Sequence, residues 1–450
     1  MKTMDKTRFR KRREAFMDMM EDGVALIPSG SPALRNGDVE YPFRASSDFF
    51  LLTGMTEPDA WAVLSKQGDT RSFQLYVRPF DPEQEIWTGR RAGLKGARKT
   101  FGADLAHDVG EFFDHLPEIL QNQPRLYYSF GIDEKCDARI LAVTNTLKQE
   151  ARRGISGPWE IHDPRRITWR MRLVKDRCDI QDQKKVAGIT ASAFKAAMRA
   201  VRPGMKEYEL AAVVEFEFAR RGGNRLAFDT ICAAGANAAT LHYTANDAVI
   251  GPDDLVLVDA GAEHGMVTAD ITRTFPASGR FTPPQATAYR WVLKAQKTAI
   301  AAIRPGVTYA EVHRAGLEVL CAGLVAMKVL DGTVESIIES QAYRPWFMHR
   351  IGHWLGLDCH DVGPYFVDGD SIRLEPGMVI TVEPGLYFRN QPEVPEKYRG
   401  IGIRIEDDVL VTPSGCKILT SDVPKEINEI ERFIGESKSW WDGIEPASIE

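Results

Sequence analysis

This chain is poor in the features that mark secreted, membrane-bound or nucleic-acid-binding proteins. Its six cysteines in 450 residues (Cys136, Cys178, Cys232, Cys321, Cys359 and Cys416) form no Cys-x-x-Cys pair. Scattered thiols in a long chain suit a reducing compartment and argue against a disulfide framework. There is no apolar signal segment near the start, and no apolar run approaches the roughly 18 residues that span a bilayer. Secretion and membrane association are therefore not expected, and a cytoplasmic location is. Basic excess is also lacking. Lys and Arg number 57 against 63 Asp and Glu, a net charge of −6 at pH 7, which disfavours nucleic acid as a partner. The one basic stretch, MKTMDKTRFRKRREAF, and the residues just after it place Met4, Phe9, Phe16 and Met19 as an amphipathic surface helix would. No solenoid period or low-complexity tract occurs.

What is present is a globular composition, 44% hydrophobic and 27% charged, in a chain too long for one ordinary core. Residues 1–165 alternate strand-like and helix-like pieces. GVALIPSG, DFFLLTGM, AWAVLSK and SFQLYVRPF read as strands, and 108–122 and 134–151 as helices, giving an α/β domain. The turn-rich SGPWEIHDPRR closes it, and a linker is expected over 166–173. From 174 to 450 the pattern is helices plus antiparallel hairpins, hence α+β. Asp176 and Asp179 form a box-like start to a helix running towards Pro203 and Gly204. Further helices are expected over 205–223, 285–303 and 308–327.

Two segments of this second domain repeat one idea. In LVLVDAGAEHGMVTADITRTF a β-rich run ends on Asp259, Gly261 follows, and a second run carries Asp270. In VITVEPGLYF and GIGIRIEDDVLVT the same places hold Glu383, Gly385 and Glu406. HRIGHWLGLDCHD, with His349, His353 and His360, lies between them. A strand alternates faces at every residue, so each pair of carboxylates can face one pocket if its strands pair. Four bare carboxylates about 5 Å apart repel by about 3 kcal/mol per pair at an effective dielectric of about 20. Two divalent cations cancel those charges and acidify a bridging water into a hydroxide nucleophile. Oxygen-dominated ligation with one imidazole favours Mn²⁺, with Co²⁺, Zn²⁺ or Fe²⁺ as alternatives. Taken singly, each of these residues has an ordinary reading as a turn, rim or core residue. Their joint order, with the flanking glycines, points to a two-metal hydrolase.

At these residues the chain resembles the pita-bread (creatinase/aminopeptidase-like) metallopeptidases, the group of proline-specific aminopeptidase P and prolidase. The likeness covers nearly the whole chain and is densest in LHYTAND, LVLVDAGAE, ADITRTFP, FMHRIGHWLGLDCHDVG, LEPGMVITVEPGLY and YRGIGIRIEDD. It implies that Asp270 and Glu406 bridge both metals, that Asp259 holds one, and that His353 and Glu383 hold the other. It further implies that Glu383 accepts the proton of the attacking water and that His242, His349 and His360 line the cleft. One of His349 and His360 would polarise the scissile carbonyl. Arg404, two residues before Glu406, would orient Asp259. EIWTGRR resembles a segment that reaches a neighbouring subunit's active site, which implies a homo-oligomer (dimer or tetramer) with Trp87 in that role.

The resemblance favours the Xaa-Pro aminopeptidase branch, because YRPWFMHRIGHWLGLDCHDVG is closest to it and no long insertion separates His360 from Glu383. The substrates implied are peptides with proline second, whose amide nitrogen carries no N–H. The proline ring is expected near His349, Trp354 and Tyr387. The alternative is an Xaa-Pro dipeptidase, with incidental organophosphate hydrolysis. A metal-free binding module is a third reading, disfavoured because all five ligand positions are filled. Two departures from the family concern specificity. Arg350 stands where glycine is common, and Asp370 where some relatives have arginine. Cys359 reads as a buried, inert thiol.

Overall fold

The computed structural model describes residues 6–435, which leaves Met4 outside the described residues. The chain divides between Met171 and Arg172 into two compact units. Among the described residues no helix is long and apolar enough to cross a membrane.

The first unit is a six-stranded mixed sheet. Its order is Leu105–Asp108, Thr70–Val77, Trp61–Gln67, Gly23–Pro28, Arg125–Tyr127 and Glu160–His162. The three strands from Gly23 to Val77 pair antiparallel, and the outer ones join parallel. Val24, Leu26, Val63 and Leu126 meet Phe112, Leu116 and Ile140 of two covering helices in the core. Trp61 stacks on Phe112 at 4.3 Å. Two sequence expectations are corrected here. DFFLLTGM is not a strand but the helix Ser47–Thr53, because Ser46 caps it, accepting from the Phe49 amide at 3.3 Å, and Gly54 ends it in a left-handed conformation. The basic N-terminal helix, Lys6–Met19, buries Phe9 and Phe16 but exposes Met19 and buries Arg12 and Arg13. Arg13 donates to the Leu52 carbonyl at 2.9 Å.

Residues 166–173, expected as a linker, lie in the helix Arg165–Leu173. The Asp163 side chain accepts from the Arg165 amide at 2.9 Å and starts it. The second unit then repeats one arrangement. Helices Arg177–Ala200 and Glu207–Arg220 pack together, as do Pro283–Ala302 and Tyr309–Ala326. The box read at Asp176 and Asp179 is formed, with each side chain accepting from the other's amide. One antiparallel sheet runs Ile231–Ala234, Leu255–Ala260, Ile271–Pro276. The other runs Val379–Val382, Asp407–Thr412, Gly415–Ile418, with Gly385–Phe388 and Ile401–Arg404 paired beside it.

Candidate metal centre

Each half of the second unit delivers two carboxylates from the end of a ladder. Leu255–Ala260 pairs with Ile271–Pro276 so that Asp259 stands opposite Thr272, and Asp270 immediately precedes the partner strand. The chain between them folds back as its own ribbon, His264 opposite Val267. Gly261 permits this: a Cβ there would stand 1.8 Å from the Ala269 carbonyl oxygen. In the other half Val382 pairs with Asp407, so Glu383 and Glu406 leave the same end of that ladder. The main chain joins the halves, with the Glu406 amide donating to the Thr272 carbonyl at 3.0 Å. Arg273, fully buried, reinforces the join by donating to the Glu406 carbonyl and pairing with buried Asp407 at 2.7 Å.

His353 arrives from a third segment laid against the Val379–Val382 strand. Its amide donates to Thr381 Oγ1 at 3.0 Å, and its carbonyl accepts from the Thr381 amide at 2.9 Å. Only glycine fits before it, since a Cβ on Gly352 would stand 1.8 Å from the Thr381 carbonyl oxygen. The imidazole Nδ1 lies 3.0 Å from the Trp354 carbonyl, which can only accept, so Nδ1 carries the proton and Nε2 its lone pair. That Nε2 is 3.4 Å from Asp270 and 3.8 Å from Glu383.

The carboxylates do not satisfy one another. Asp259 Oδ1, Asp270 Oδ1 and Glu406 Oε1 are buried with no hydrogen-bond partner. Burial, then Asp259, holds the Asp270 carboxyl well above the usual carboxylate range. Burial, then Asp270, does the same to Glu406, and burial with Glu406 raises Glu383 to about 8. Three orphaned acidic oxygens around an imidazole with a free lone pair fit divalent cations, and these residues would hold them.

Arg404, four per cent exposed, ties the outer layer together. It donates to Asp259 Oδ2 at 2.5 Å, to Thr272 Oγ1 at 3.1 Å and to the Tyr387 hydroxyl at 3.1 Å. Thr272 in turn donates to Glu406 at 2.8 Å, and Tyr387 meets His349 Nε2 at 2.8 Å. His349 Nδ1 faces the Arg350 carbonyl at 2.8 Å. Burial and Arg404 push His349 down to about 3, so it is neutral and both its nitrogens are engaged. Cys359 donates its S–H to Asp270 Oδ2 at 3.1 Å, and burial pushes the thiol up.

A cavity of about 860 Å³ opens over these groups. His242, His349, His353 and His360 line it with Asp259, Asp270, Glu383, Arg404 and Glu406. Two expected substrate contacts are absent from its wall. Trp354 is fully buried, because its bridge to Ile380 turns it inward to stack on Tyr365 at 5.3 Å. Tyr387 is also fully buried and touches the cleft-lining His349 and Arg404 from behind. The apolar wall comes instead from Phe228, Leu241, Tyr309, Tyr365 and Phe366. Sequence reasoning missed these five, which carry no shared spacing signal because they come from separate loops, a helix start and the short strand Phe366–Val367. Trp87, on the first unit's Pro82–Thr88 helix, is 84% exposed.

The chain is similar to known metallopeptidases in both sequence and fold. The profile of metallopeptidase family M24 matches residues 181–413, and that of the aminopeptidase P N-terminal domain matches residues 9–135. The chain is 40% identical to the Xaa-Pro aminopeptidase of Escherichia coli, over 96% of this chain and 99% of that protein. It is 42% identical to the Xaa-Pro aminopeptidase of Haemophilus influenzae, over 96% and 98%. The fold matches an aminopeptidase from Pseudomonas aeruginosa with a TM-score of 0.94 at 42% identity, covering 98% of this chain and all of that one. A zinc-substituted Escherichia coli aminopeptidase P in complex with product matches equally, with a TM-score of 0.94 at 40% identity over 97% and 99%.

Proposed function

From the premise that the chain belongs to metallopeptidase family M24, we propose that it is an Xaa-Pro aminopeptidase, removing the N-terminal residue from peptides with proline second. The observation that carries the metal chemistry is the set of orphaned oxygens on Asp259, Asp270 and Glu406 beside His353 Nε2. Asp270 and Glu406 would bridge two ions, Asp259 would hold one, and His353 and Glu383 the other. The oxygen-rich donor set favours Mn²⁺. When bound, such ions polarise the scissile carbonyl and acidify the attacking water. Every other step falls to the chain itself. Glu383 takes the proton of the attacking water at a carboxylate oxygen and returns it to the departing proline nitrogen, which leaves as a secondary amine. Arg404 fixes Asp259 and, through Tyr387, the ring of His349. With His349 engaged at both nitrogens, His360, exposed in the cleft, is the imidazole left to donate to the developing oxyanion. His242 faces the substrate from the same cavity.

The proline ring packs on the apolar wall of Tyr309, Tyr365 and Phe366. No step needs an N–H on the scissile bond, which suits a tertiary amide. The working form would be a homo-oligomer in the cytoplasm, with Trp87 buried by a neighbouring copy. The test is a matrix of Mn²⁺, Co²⁺, Zn²⁺ and Fe²⁺ against Xaa-Pro and Xaa-Pro-Yaa peptides. Cleavage of the longer peptides supports the aminopeptidase. Cleavage of dipeptides alone would replace it with the dipeptidase reading.

A further inference from the structure

The first unit holds a second group of metal-binding side chains, which peptide hydrolysis does not use. His107 lies on the Leu105–Asp108 strand, Glu111 on the turn Val109–Glu111, and His115 on the helix Phe112–Leu120. One nitrogen of each ring and one Glu111 carboxylate oxygen lie within 4.8 Å of one another. Two imidazoles and one carboxylate, with Glu111 exposed to solvent, form a familiar donor set for zinc.

Independent observations go beyond this clustering. His107 Nε2 is buried and has no hydrogen-bond partner, an orphaned acceptor or donor that folding ordinarily avoids. Tyr76, itself two per cent exposed, holds both rings. Its hydroxyl meets His115 Nδ1 at 3.3 Å, and its ring stacks on His107 at 4.7 Å. Metal-binding imidazoles characteristically have such an outer partner to set their orientation.

The geometry points to a divalent-cation site of Zn²⁺ type on the first unit, held by His107, Glu111 and His115 and separate from the catalytic ions. A nitrogen-rich site prefers Zn²⁺, whereas the carboxylate-rich centre prefers harder ions. Bound there, the ion would pin the Leu105–Asp108 edge strand to the helix that covers the sheet. The test uses the full-length protein loaded with Mn²⁺ and then titrated with Zn²⁺ under equilibrium dialysis. Wild type should take up one more zinc ion per chain than His115→Asn. Glu111→Gln, at an exposed side chain, should bind that ion at least tenfold more weakly. Both variants should keep their Mn²⁺-dependent peptidase activity. Zinc that displaces Mn²⁺ from the catalytic centre does so equally in all three proteins and cancels in the difference. Anomalous diffraction at the zinc edge should place the extra ion between the three side chains. Equal zinc uptake and affinity in wild type and both variants would overturn the proposal.

Discussion

Glu383 sets how the centre responds to pH. Its carboxyl is raised from 4.5 to about 8 by burial and by Glu406. Without metal, the folded state therefore holds a proton that the unfolded chain has already released. The stability this contributes is complete below pH 4.5 and is lost as pH climbs through about 8. Asp270 and Glu406 shift in the same direction. The thermal midpoint of the metal-free enzyme should fall across that interval, and saturation with Mn²⁺ should flatten the fall. A metal-free midpoint that rose from pH 5 to 8 would contradict the assignment. Asp270→Ala should cut hydrolysis by about a thousandfold or more and reduce metal uptake measured by elemental analysis. Tyr387→Phe leaves all five expected ligands in place but breaks the link from Arg404 to His349. Its kcat should fall by about 10- to 100-fold with little change in bound metal.

At the scale of elements, the join between His353 and the Val379–Val382 strand depends on a missing side chain. Gly352→Ala forces a Cβ against the Thr381 carbonyl, and main chain must move to admit it. A loss of roughly 2–4 kcal/mol in chemical denaturation is expected, with activity falling further because His353 moves with it. Ser46→Ala should cost about 1 kcal/mol through the lost cap alone and leave activity intact. These two positions also show what the sequence discloses about elements. The capping box at Asp176 and Asp179 was legible because its signal is local. The helix Ser47–Thr53 was misread because its four consecutive apolar residues outweighed the Ser46 cap. The four expected carboxylates stood out in the sequence because each sits at a strand end, whereas His353 comes from a segment outside the strands and stood out only through its neighbouring histidines. Trp354 was misplaced because only its pairing with Ile380 decides which way it faces.

Over the whole molecule, all five expected ligands belong to the second unit, and so should the effect of chelation. At a free ion concentration about 100 times Kd, binding stabilises the folded state by about 2.7 kcal/mol. Chelation should therefore speed amide hydrogen exchange in Leu255–Ala260 and Val379–Val382 while leaving Gly23–Pro28 unchanged. The two-half plan of this unit was foreseeable from its repeated carboxylate segments. The cleft wall was not, because Tyr309, Tyr365 and Phe366 meet only after folding. One tie within the unit has a kinetic corollary. The contact of Glu406 with Thr272 is made by main chain and backed by buried Arg273, so the spacing of the acidic rack is kept when its cargo is stripped away. Reactivation after chelation should then be a capture event, its rate rising in proportion to added cation, with no slow refolding phase.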